Sequence, residues 1–130
     1  DWNSHGIEHE LSALYDCAHG AGLAVIMPAW MEHVYRHDPL RFAQMATRVW
    51  GCEMNFSNPS VTAREGICKF RRFLHDIGMP INFEELGAKE SDIPYLVKTF
   101  GLGEGETSGF VHLKSVDIEK IYRLAVKAKL

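Results

Sequence analysis

The chain has 130 residues, 46% of them hydrophobic and 24% charged, with a formal net charge of −3. That is the composition of one globular domain with a sizeable core. Its basic residues are dispersed, apart from Lys69, Arg71 and Arg72. This excludes the concentrated basic face by which proteins bind nucleic acid. The apolar run from Ala21 to Met31 is broken by Gly22 and Pro28 and is too short to cross a bilayer, and no signal peptide is visible. Cys17, Cys52 and Cys68 are odd in number and lack CxxC spacing. They read as buried or partly buried thiols of a reducing cytoplasm.

Helical periodicity runs through almost the whole chain. Ile7, Leu11, Leu14 and Tyr15 form the apolar stripe of a first helix, which Asn3 or Ser4 can cap. A second helix, about Gly20 to Arg36, is apolar on nearly all sides and therefore central, with Pro28 expected to kink it. Asp38-Pro39 launches a third helix to about Trp50, with Phe42, Met45, Ala46 and Val49 inward and Gly51 ending it. Asn58-Pro59 repeats that start signal for a fourth, whose inner side is Ile67, Phe70, Phe73, Leu74 and Ile77, with Gly78 as the cap. Lys69, Arg71 and Arg72 are assigned to its solvated face.

Asn82 to Leu86 reads as a short helical turn, and Ser91 or Asp92 starts a fifth helix to Phe100. GLGEGETSG is a loop, and only Gly109 to Leu113 has any strand character. Ser115 caps a last helix, Val116 to Lys129, with Ile118, Ile121, Tyr122 and Ala125 inward. The expectation is an all-α bundle of about five to seven helices with no nucleotide-binding βαβ unit.

Chemistry concentrates at the start, in HGIEHELSALYDCAHG. His5 and His9 are four apart and share a helical face, and His19 follows a helix end from which it can fold back. Imidazole is the commonest protein ligand for transition metals. Residues 5–9 also fit H-x-x-E-H, which would make His5 and His9 zinc ligands and Glu8 a general base, but no sheet supplies the protease cleft. Gly101, Gly103, Gly105 and Gly109 suggest a phosphate cradle, against which Glu104 and Glu106 argue. Cys17 lacks oxyanion donors and reads as packing, as do Met27, Trp30 and Met31.

The spacing His5-x-x-x-His9, then His19-Gly20 ten residues on, resembles the metal-binding segment of the iron-containing (group III) alcohol dehydrogenases. HELSALYD and HGAGLAVIMPAWM are closest to the NAD(P)H-dependent butanol dehydrogenase branch, and FLHDIGMP (73–80) and Val116 to Tyr122 resemble later parts of that family. The resemblance implies a dehydroquinate-synthase-like helical C-terminal domain that acts with an N-terminal Rossmann-like domain binding NAD(P). It implies Fe²⁺ or Zn²⁺ held by an aspartate and three histidines. Two of those histidines match His5 and His19, while His9 matches the residue that assists substrate or proton transfer. The resemblance places the aspartate and the remaining histidine in a D-x-x-x-H pattern upstream of this segment.

The chain, opening at Asp1 on its histidines, is therefore expected to be the back end of a longer enzyme acting on small alcohols or aldehydes. Alone it is expected to be inactive, to bind metal weakly and to self-associate. The rival is a free-standing metal-binding or interaction module using His5, His9 and His19.

Overall fold

The computed structural model describes residues 1–130 and contains seven α-helices and no strand. They are α1 (Asn3–Tyr15), α2 (His19–Val34), α3 (Pro39–Trp50), α4 (Pro59–Asp76), α5 (Phe83–Leu86), α6 (Ile93–Phe100) and α7 (Ser115–Lys127). The all-α expectation holds, and residues 109–113 form no strand. No helix is long and apolar enough to cross a membrane.

The helix starts written as an acidic or amide residue before proline are present at α3 and α4. At α3 the Asp38 carboxylate accepts the Arg41 N–H at 3.2 Å, and Gly51 closes the helix with φ 68°. Two expected caps are replaced. Asn3 belongs to α1 itself, and its side-chain amide donates instead to the Ser108 and Val111 carbonyls at 2.9 and 3.2 Å. Ser115 is the first residue of α7, whose start is fixed by Asp117 accepting the Lys114 N–H at 2.8 Å. The Ser115 hydroxyl donates to the Gly103 carbonyl at 3.1 Å, which ties the glycine-rich loop to the bundle.

Helix α2 is central, touching α1, α4, α5 and α7. Pro28 is buried within it, and the helix runs on to Val34 before a 3₁₀ turn over Tyr35–His37. Around α2, Ile7 and Leu11 of α1, Ile93 and Leu96 of α6, and Ile118, Ile121 and Tyr122 of α7 are fully buried. Burying each such side chain is worth roughly 1.5–3 kcal/mol.

The α3–α4 pair departs from its expected stripes. Val49, Phe73 and Ile77 are 64%, 46% and 56% exposed. The two helices meet through small residues, Ala43, Ala46, Ala63 and Gly66, and a Cβ at Gly66 would stand 2.9 Å from Ala46 Cα. So close a seam leaves the larger apolar residues outside it, where Trp50 stacks on Phe70 with ring centres 5.6 Å apart. Arg71 departs the other way. It sits between Ile67 and Leu74 on the buried stripe, not on the solvated face, and its Nη1 donates to Glu32 Oε1 at 2.7 Å. Cys68, expected to be at least partly buried, is exposed, Cys17 is half-buried and Cys52 is buried.

Candidate metal centre

The site is built at the corner between α1 and α2. Asp16 ends α1 in the left-handed conformation, φ 51°, donating its N–H to the Ser12 carbonyl at 2.9 Å. Ala18 is extended, and the chain reverses so that His19, first residue of α2, faces back onto α1. The His19 ring centre lies 5.4 Å from that of His5 and 5.3 Å from that of His9. The three histidines singled out from spacing thus converge. An imidazole nitrogen binds Zn²⁺ or Fe²⁺ at about 2 Å, so two rings on one tetrahedral ion stand with centres roughly 5 Å apart. Both pairs meet that condition. His5 is half-buried against Trp2, whose ring centre is 5.1 Å away, whereas His9 and His19 are exposed.

Sequence reasoning missed the partner of His19. Glu8 falls on the buried stripe of α1 with Ser4, Ile7 and Leu11 and is completely inaccessible. Its Oε2 accepts from His19 Nδ1 and its Oε1 accepts from the Ser12 hydroxyl. The signal was present in the sequence: a carboxylate on an apolar stripe must have partners, because burying one alone is prohibitive. The same contacts remove Glu8 from the role that H-x-x-E-H would give it, since both its oxygens are engaged away from solvent. Single donor atoms of Glu8, His9 and His19 also lie within 4.8 Å of one another, so this corner offers two overlapping ligand groupings.

The other candidate residues lie elsewhere. Cys17 packs against the core, its Sγ 3.9 Å from Ser12 Oγ. The glycine-rich loop follows helix α6 and not a strand, and Glu106 in it pairs with His112 at 3.1 Å. His33 bonds Asp117 at 2.9 Å and His37 meets the Phe110 ring edge-on, so neither joins the cluster. Trp30 and Met31 are half-buried against the core, as expected.

The family model for the C-terminal part of iron-containing alcohol dehydrogenases matches residues 1–126. The chain belongs to that family. It is 34% identical over 124 residues, 94% of its length, to NADH-dependent butanol dehydrogenase A of Clostridium acetobutylicum, covering 32% of that protein. It is 34% identical over 94 residues, 72% of its length, to 1,3-propanediol dehydrogenase of Klebsiella pneumoniae, covering 24% of it. Among solved structures, NADH-dependent butanol dehydrogenase A of Thermotoga maritima superposes with a TM-score of 0.89 at 36% identity, over 98% of this chain and 33% of that one. The chain therefore spans a third or less of the length of these relatives. Its fold is that of their helical C-terminal domain.

Proposed function

We propose that this chain is the metal-binding part of an enzyme that interconverts primary alcohols and aldehydes by hydride transfer with NAD(P). In this reading His5 and His19 are two of the metal's ligands, and His9 assists substrate binding or proton transfer. The observation that carries it is the convergence of His5 and His9 on His19, in a chain whose family match runs over residues 1–126. The relatives named as butanol and 1,3-propanediol dehydrogenases support the substrate class.

The donor set fits Fe²⁺ or Zn²⁺. Imidazole suits either ion, and His19, with Nδ1 engaged by Glu8, keeps Nε2 as its donor. When bound, such an ion supplies positive charge that stabilises anionic character on the substrate oxygen during hydride transfer. His9, exposed one turn along α1 from His5, is free to carry a proton to or from that oxygen. Ligands from the chain's own corner fill half of a four-ligand shell. The remainder, with the nicotinamide site, is assigned to an N-terminal Rossmann-like domain carrying an aspartate and a histidine in D-x-x-x-H spacing. The chain alone is then inactive and binds metal weakly. Its three free thiols fit a reducing, cytoplasmic setting.

Two results test this. The coding sequence upstream of Asp1 should encode the D-x-x-x-H segment and a Rossmann-like domain, and their absence overturns the reading. Zn²⁺ titration of the 130-residue chain should show weak binding. Tight, stoichiometric binding abolished by both His5→Ala and His9→Ala would instead establish a self-sufficient three-histidine module.

A further inference from the structure

We propose that Glu8 is a positioning residue for His19, and that position 22 must be glycine to leave room for the Glu8 carboxylate. This rests on the metal-site reading above and extends it to residues outside the ligand set. Glu8 is the one carboxylate of the chain buried completely, and its two oxygens are divided between two donors. Ser12, one helical turn further along α1, donates to Oε1, and His19 donates to Oε2 through Nδ1. An imidazole that donates from Nδ1 has its lone pair on Nε2, on the opposite side of the ring. That is the atom left for a metal shared with His5. A carboxylate behind a ligating imidazole fixes both the tautomer and the ring orientation, and it raises ligand basicity.

Gly22 supplies the space. It is buried on α2, one turn beyond His19, and a Cβ there would stand 2.6 Å from Glu8 Cγ and 2.8 Å from its Cδ. Carbon atoms pack at about 3.5–4.0 Å, so any side chain would push the carboxylate off His19. Gly20, two residues earlier on the same helix, has nothing within 4 Å of a built Cβ. The two glycines of the HGAG segment thus differ in kind, and Gly20 is the internal control.

Glu8→Gln separates positioning from filling. Glutamine has the same shape, and its carbonyl can still accept from Ser12. Its amide then faces His19 as a donor, which favours the opposite tautomer, with hydrogen on Nε2 where the metal should bind. The test uses the full-length protein, with Zn²⁺ affinity measured by competition against a chelating indicator and ¹⁵N spectra of the metal-free, histidine-labelled protein. Glu8→Gln should weaken Zn²⁺ binding about 10- to 100-fold and move the His19 signals to the Nε2–H tautomer, with the thermal melt little changed. Gly22→Ala should weaken binding comparably, and Gly20→Ala should leave it unaltered.

Unchanged affinity and an unchanged His19 tautomer in Glu8→Gln, while His19→Ala loses the metal, would overturn the Glu8 assignment alone. Retention of the metal by His19→Ala would overturn the metal reading, and the Glu8 assignment with it.

Discussion

Tyr122 joins the last helix to the first: its hydroxyl donates to the Ile7 carbonyl at 2.7 Å, and both residues are fully buried. Burial pushes the phenol well above its ordinary value of 10.0, reinforced by the negative charges of Glu10 and Glu8. The folded chain therefore keeps this proton at pH values where the unfolded chain releases it. Between those limits the unfolded state binds fewer protons, so stability is fully present below pH 10 and declines as pH rises above it. Tyr122→Phe should lose about 1 kcal/mol at neutral pH and show a shallower alkaline decline in denaturant melts. An undiminished decline in the variant would assign it to other groups. Residue by residue, legibility followed burial pattern: Tyr122 was placed inward from spacing alone. Its bond to Ile7 spans 115 positions and has no local signature. The burial of Glu8 was passed over because a short motif drew attention to its neighbours and away from the apolar stripe on which it lies.

Helix starts were readable where backbone chemistry is local, as at Asp38-Pro39 and Asn58-Pro59. They were not readable where a side chain has a distant alternative, as with Asn3 and Ser115. The α3–α4 seam shows the same limit. Periodicity found apolar faces, yet which face is buried depends on how closely two helices approach, and Gly66 opposite Ala46 decides that. Gly66→Leu should destabilise the fold by roughly 1–3 kcal/mol through overpacking, whereas Val49→Ala on the exposed side should change the melting temperature little. Equal losses from both would contradict the small-residue seam.

The Glu32–Arg71 pair joins α2 to α4, with side chains 31% and 5% exposed. Arg71 Nε and Nη2 are buried without partners. Removing its one acceptor in Glu32→Ala should cost about 2–3 kcal/mol, while Arg71→Met should cost much less. A reversed order in chemical denaturation would place the stabilisation in the arginine's charge and not in its neutralisation.

At the scale of the molecule, the core faces inward on α2 and the histidine corner faces out. Trp2 is 79% exposed beside His5, and His9 and His19 are open to solvent. In the proposed reading this face meets the cofactor domain, and the 130-residue chain should self-associate when the face is bare. Sedimentation that stays monomeric at high concentration would contradict that expectation. His5, His9 and His19 were legible because their spacing is local to one helix and its following turn. What spacing left open is which two share an ion, since both rings stand almost equally far from His19.

Metal content of the full-length protein in His5→Ala, His9→Ala and His19→Ala decides this most directly. His5→Ala and His19→Ala should lose the metal, while His9→Ala should retain it and lose turnover. Retention in His5→Ala together with loss in His9→Ala would contradict this and make His9, not His5, the ligand paired with His19.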